Sequence, residues 1–285
     1  MKEKINLYSY YHNGDVFYSR LLVNVLMKKY DITYYHNLKS PLFEDMEVEE
    51  IVGIPNDFSK EGCDRMSENI INTWIGKDNF RCCDDSKNGP GCSLGNYMGV
   101  VHEASKLYDI EVGEIDDILP SIEYTKLKNY DLVKNKMDEF KSKYRKIVLV
   151  SNGPVYSNQS YNFLFDSIVD YLAQVNQDTL FIVTDKINID RENIISSSTI
   201  TEKLPDLLLI GYISTYCDII VGRASGPYCF AQNKENFLNI NKTFISFTRL
   251  ESEGVYYKGS KSKNIWSNDY SPMNIFNVIQ NEIIK

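Results

Sequence analysis

Apolar residues along this chain fall into two alternating rhythms. Six short runs have the length and β-branched content of buried strands: Ile5 to Tyr8, Ile32 to Tyr35, Ile147 to Val150, Leu180 to Val183, Asp218 to Val221 and Thr243 to Phe247. Between them the spacing turns helical. Phe17, Leu21 and Val25, with Leu22 and Leu26 alongside, form one apolar stripe and predict a helix ending near Tyr30. Phe163, Ile168 and Leu172 predict a second helix, and the stretches 97–108, 127–144, 206–215 and 271–284 predict four more. Strands that alternate with helices build parallel sheets covered on both faces, so the predicted fold class is α/β. The pattern weakens from Pro41 to Asn96, where Ile70 to Ile75 reads as one further strand ending at Gly76. It restarts at Ile147. The predicted domains are therefore 1–143 and 144–285, with the boundary in the polar stretch Ser142 to Lys146.

Open α/β sheets place ligands outside the carboxyl ends of their strands, which directs attention to the loops that follow each run. After the first comes Tyr11-His12-Asn13-Gly14-Asp15, where Asn13-Gly14 reads as a turn and Asp15 projects at the helix start. Two roles fit Asp15. As an N-cap its carboxylate accepts from the amides of the first helical turn; as a general base it takes a proton from an incoming hydroxyl, and His12 competes for that task. Trp74, at the end of its short run, reads either as a core residue or as a platform for an apolar or sugar face. Late in the chain, Gly222-Arg223-Ala224-Ser225-Gly226-Pro227 reads as a strand, a tight turn and a helix start. Pro227 suits the first helical turn and Ser225 or Gly226 suits the cap. The small side chains of Ala224, Ser225 and Gly226 let a diphosphate approach helix-start amides, although an ordinary strand-to-helix corner needs small residues too.

Composition narrows the choices. With 285 residues, 43% of them hydrophobic, the chain is long enough for two domains, and its net charge of -8 argues against a nucleic-acid partner. Phosphates must then be held locally. No segment approaches the ~20 apolar residues of a membrane helix and the start lacks a leader pattern, so the expectation is a soluble cytoplasmic protein. The six cysteines, at 63, 82, 83, 92, 217 and 229, show no paired metal spacing and read as free thiols, with Cys217 and Cys229 as small packing residues. A dinucleotide G-x-G-x-x-G, a P-loop and a nucleophile elbow around Ser225 are all absent. So is any Asp-x-Asp to hold a divalent ion on a diphosphate, which predicts phosphate binding by amides and cations without a metal.

The pairing of an early Gly14-Asp15 segment that opens a helix with the late run from Asp218 through Gly222, Ser225 and Gly226 to Pro227 resembles the heptosyltransferase-like glycosyltransferases, family nine of the GT-B fold. The likeness runs nearly end to end in element order. It implies two Rossmann-like domains facing a cleft, with parallel sheets covered by helices. It also implies a nucleotide sugar held by the C-terminal domain, a glycan or glycolipid acceptor, and no cofactor. By position, Asp15 takes the role of base, while Ser225 and Gly226 offer amides to the diphosphate, flanked by Ala224 and Pro227. Within that frame Arg223 and Lys186 are the cations expected near the diphosphate, and Ser151, Asn152, Gly153, Ser157 and Gln159 the loop that hydrogen-bonds the donor. Asn13, Gly14 and Trp74 fall on the acceptor side. The family's histidine soon after the Ser-Gly pair is replaced here by the region of Tyr228 and Cys229. The implied reaction inverts the anomeric centre. Alternatives on the same scaffold are a nucleotide-sugar hydrolase or epimerase with His12 as acid/base, and a nucleotide-sugar-binding protein without turnover.

Overall fold

The computed structural model describes residues 2–60, 69–74, 93–202, 207–251 and 259–285. Internal contacts divide the chain into two compact units, one running to Lys126 and one from Leu127 onward, with a brief segment at Gly259 grouped with the first. Cys63, Cys82, Cys83 and Cys92, Ile75, Gly76 and the first residue of the predicted 206–215 helix lie outside the described residues.

The first unit is built on β1 (Glu3–Ser9), β2 (Tyr30–His36), β3 (Val48–Val52) and β4 (Ile70–Asn72), all parallel, in the order β3-β2-β1-β4. Between β1 and β2 the predicted single helix is two, α1 (Asn13–Tyr18) and α2 (Arg20–Leu26). The break falls at Ser19, whose hydroxyl donates to the Val16 carbonyl at 2.7 Å and meets the Tyr34 hydroxyl at 2.9 Å, the kind of local side-chain bond that bends a helix. Asn13 and Gly14 are the first two residues of α1 rather than a turn before it. Val16, Phe17, Leu21, Leu22, Val25 and Leu26 are buried on these helices, as are Ile5, Leu7, Ile32 and Ile71 on the sheet. α3 (Ser93–Tyr108) contributes Tyr97, Val101 and Ala104 to the core, and α4 (Ile115–Ile118) follows. Arg20 and Asp45 form a buried ion pair at 2.5 Å, and Arg20 also donates to the carbonyls of Leu42 and Ser121.

The second unit opens with α5 (Tyr130–Lys143), which the sequence pattern had placed in the first domain. Its contacts explain the assignment. Lys141 bridges Asp218 at 3.0 Å, and the Tyr130 ring lies 5.0 Å from that of Tyr212. Six parallel strands follow: β5 (Lys146–Ser151), β6 (Thr179–Val183), β7 (Ile194–Ser196), β8 (Ile219–Gly222), β9 (Thr243–Phe247) and β10 (Lys263–Ser267), in the order β10-β9-β8-β5-β6-β7. Alternate residues of the central strands face two buried layers. Val148, Val150, Phe181, Val183, Ile219, Val221 and Ile245 form one core with α6 (Asp166–Val175) and the last helix, whose Ile275, Ile279 and Ile283 complete it. Ile147, Leu149, Leu180, Ile182 and Ile220 are equally buried on the other face. Two short helices, α7 (Ser197–Thr201) and α8 (Leu207–Tyr216), lead into β8. The run Leu207 to Ser214 is buried all round, as expected of a helix inside a domain. α9 (Gly226–Phe230), α10 (Lys234–Phe237) and α11 (Pro272–Ile283) complete the order. Cys217 and Cys229 are buried, and burial pushes the Cys217 thiol up to about 12. Among the described residues no helix is long and apolar enough to cross a membrane.

Candidate functional site

Each sheet reverses its strand order once. In the first unit β2 and β3 extend from one side of β1 and β4 lies on the other; in the second, β6 and β7 extend from one side of β5 and β8 to β10 lie on the other. Such a reversal opens a crevice at the carboxyl ends of the two strands that flank it, because the connections leave in opposite directions. The crevices therefore lie after β1 and β4 in one unit, and after β5 and β8 in the other.

At the first crevice the chain leaves β1 through Tyr10, Tyr11 and His12 and enters α1. His12, not Asp15, is the N-cap, and it makes no side-chain cap hydrogen bond. Asp15 is the third helical residue and reaches back, its carboxylate accepting from the backbone N–H of His12, which is the returning half of a capping box. The Tyr97 hydroxyl donates to Asp15 Oδ1 at 3.3 Å. Burial dominates the carboxyl's energetics and holds its pKa above the ordinary carboxylate value, with the nearby His12 and the hydrogen bonds offsetting only part of the effect. A carboxylate with a raised pKa can accept a proton from a hydroxyl held against it. Trp74, two residues past β4, stacks on Tyr11, with ring centroids 3.8 Å apart and planes inclined by 22°. Neither Tyr11 nor Tyr97 stood out in the sequence. One is an aromatic among 21 tyrosines, and the other lies more than 80 residues from its partner Asp15.

At the second crevice Ser151, the last residue of β5, and Ser225, the N-cap of α9, join hydroxyls at 2.6 Å. Ser225 therefore caps without a bond from its side chain to the helix. Gly226 and Pro227 form the first turn beyond it, and Ala224 lies half-buried before it. Gly222 permits this approach of β5 and β8. A Cβ there would lie 2.8 Å from Ser151 Cβ and 3.0 Å from the Tyr228 ring. The glycine that ends the strand was the available signal.

Arg223 takes a different place from the one expected. Its guanidinium is buried between the rings of Phe163 and Phe165, at 5.0 and 5.2 Å, and donates to the carbonyls of Phe163, Gly153 and Asn152. It holds the loop after β5 from inside, with all three bonds made to protein backbone. Asn152 does similar work on the neighbouring loop, since Oδ1 accepts from the Asp185 N–H and Nδ2 donates to the Asp185 carbonyl, each at 2.8 Å. The Asp185 carboxylate is thereby brought over Gly153, 3.1 Å from where a Cβ would stand. An acid just past the second strand of such a sheet stands where dinucleotide folds read a ribose, which makes Asp185 a further candidate. Lys186 is exposed beside it. Ser157 and Gln159 pair with each other, the serine hydroxyl donating at 2.7 Å. The structure thus joins Ser151, Asn152, Gly153, Arg223 and Ser225 in one contact set and leaves Ser157, Gln159 and Lys186 on its exposed margin. Among the described residues no three His, Cys, Asp or Glu side chains gather as metal ligands would.

Three solved structures share this fold along nearly the whole chain. A family 9 glycosyl transferase from Veillonella parvula is 13% identical with a TM-score of 0.55, covering 98% of this chain and 92% of its own. The ADP-heptose LPS heptosyltransferase II of E. coli is 12% identical with a TM-score of 0.56, covering 100% and 99%. The E. coli heptosyltransferase WaaC, solved with ADP, is 7% identical with a TM-score of 0.53, covering 98% and 99%. The fold is that of the heptosyltransferases. At these identities the heptosyltransferase likeness is one of fold. No protein-family model and no curated protein sequence matches the chain.

Proposed function

We propose that this protein is a glycosyltransferase that moves a sugar from a nucleoside diphosphate to a hydroxyl of a glycan or glycolipid, with inversion and without a metal ion. The observation that carries the reading is the placement of Asp15. In a fold shared with three sugar-transferring enzymes, a desolvated carboxylate follows the carboxyl end of the first strand, which supports its use as the base for an acceptor hydroxyl. The acceptor oxygen attacks the anomeric carbon from the face opposite the diphosphate. The bond from that carbon to the leaving phosphate oxygen breaks, and the hydroxyl proton passes to Asp15. The departing diphosphate carries the displaced electron pair, and its charge is met at the Ser151–Ser225 crevice by the amides after Ser225 and by Lys186. Arg223 supports the reaction as a positioning residue, by fixing the 152–153 backbone.

The test is direct. Calorimetry with ADP, UDP and GDP should find one nucleoside diphosphate that binds, and the matching nucleotide sugars should then be turned over in the presence of bacterial glycans or glycolipids. Binding of none of the three at millimolar concentration would end the proposal. Turnover that yields free sugar alone, with or without glycan, would make the protein a hydrolase.

A further inference from the structure

We propose that the acceptor is recognised through a pyranose ring seated on the Tyr11–Trp74 stack. The inference rests on the reading of the protein as a glycosyltransferase.

Tyr8 pairs with Asn72 across the reversal between β1 and β4, so Tyr11 and Trp74 emerge side by side just beyond the last paired rung. Their backbones are anchored there independently of the rings. The Tyr11 N–H donates to Ser9 Oγ at 3.3 Å, the Trp74 N–H to Asn72 Oδ1 at 3.0 Å, and the intervening Thr73 N–H to the Tyr8 carbonyl at 2.8 Å. The stack is consequently preformed, with little left to order when a ligand arrives on an outer face or edge of the pair.

Burial separates it from the core. Tyr8, Tyr34 and Tyr97 are each 3% exposed or less and are packed within the unit, whereas Tyr11 and Trp74 are both only half-buried. A stacked aromatic pair kept partly in contact with solvent suits a ligand with an apolar face and a polar rim, which is the character of a pyranose. Position relative to the base completes the case, since His12 follows Tyr11 directly and Asp15 lies in the first turn of the helix that starts there. A sugar on the stack therefore lies beside the loop that leads into the Asp15 helix.

The chain has two tryptophans, so Trp266→Phe leaves Trp74 as the sole indole reporter. In that background, Trp74 emission should shift saturably with at least one member of a panel of methyl pyranosides and short oligosaccharides of gluco, galacto and manno configuration. Tyr11→Ala should weaken that affinity about tenfold, the scale of a lost aromatic contact. Tyr11→Phe, which keeps the stack, should retain it, and n-decyl phosphate should leave the emission unchanged. The proposal is overturned if no saccharide moves Trp74 emission, if Tyr11→Ala binds as tightly as its parent while melting normally, or if n-decyl phosphate saturates the signal in place of the sugars. Calorimetry with nucleoside diphosphates on the same variant keeps the two readings apart. Failure of the transferase reading appears as absent nucleotide binding, and failure of the platform as normal nucleotide binding with silent saccharides.

Discussion

Asp15 is where one side chain has most to lose in both stability and activity. Its pKa is raised by burial, so its contribution to stability is complete below the pKa of an unfolded aspartate and is lost as pH rises through the folded value. At neutral pH the desolvated, part-buried carboxylate therefore costs stability. Asp15→Asn should melt higher than wild type at neutral pH, and that advantage should vanish at a pH below the ordinary carboxylate range; the amide oxygen still accepts from the His12 N–H, so the helix start is kept. The same substitution should lower kcat by about 10²- to 10⁴-fold, the contribution of a general base, and leave nucleotide affinity unchanged. Wild-type turnover should fall with acidification at a pH above that expected of an ordinary aspartate. Melting curves and single-turnover rates for the two proteins across pH test all of this. An Asn variant that transfers at the wild-type rate would leave Asp15 a structural residue and shift attention to His12.

Among the elements, β5 and β8 meet at a junction with no room for a side chain at Gly222. Gly222→Ala would push a methyl against Ser151 and Tyr228, at a cost of about 1–3 kcal/mol for overpacking. It should also separate the two serine hydroxyls, so nucleotide affinity by calorimetry should fall even in a variant that remains folded at the assay temperature. The sequence made the central strands of this sheet legible because a strand covered on both faces is an unbroken apolar run, as at Ile147 to Val150 and Leu180 to Val183. It hid β3, β7 and β10. These lie at the ends of the strand orders and are mostly part-buried, so Val48 to Val52 and Lys263 to Ser267 carry charged and polar residues like any loop. The site divided along similar lines. The Ser225 turn and the Asp15 helix start are local features and could be read from neighbouring residues. The position of Arg223 depends on carbonyls 60 to 71 residues away, and the Tyr11 stack depends on which strand flanks β1, neither of which local pattern encodes.

For the whole molecule, two separate cores imply two separable units. A chain of residues 127–285, which contains the six-stranded sheet and its buried cluster, should fold alone and melt cooperatively, and the same nucleoside diphosphate should bind it in calorimetry. Transfer by the full chain should persist in excess chelator, because the proposed site meets phosphate charge with amides and a lysine; activity lost to chelator and restored by manganese would overturn that. The reversals of strand order also set a timetable. Ile147 pairs with Leu180 after one β-α-β step, but Val148 must wait for Ile219, just as Asn6 must wait for Ile70 after Glu3 has already met Tyr30. Longer closures are slower, so in each sheet the seam at the reversal is expected to zip late during folding and to part early during unfolding. A ligand that bridges Ser151 and Ser225 grips that seam. Its binding should slow the unfolding rate more than it speeds refolding, since it secures contacts that the transition state has yet to make.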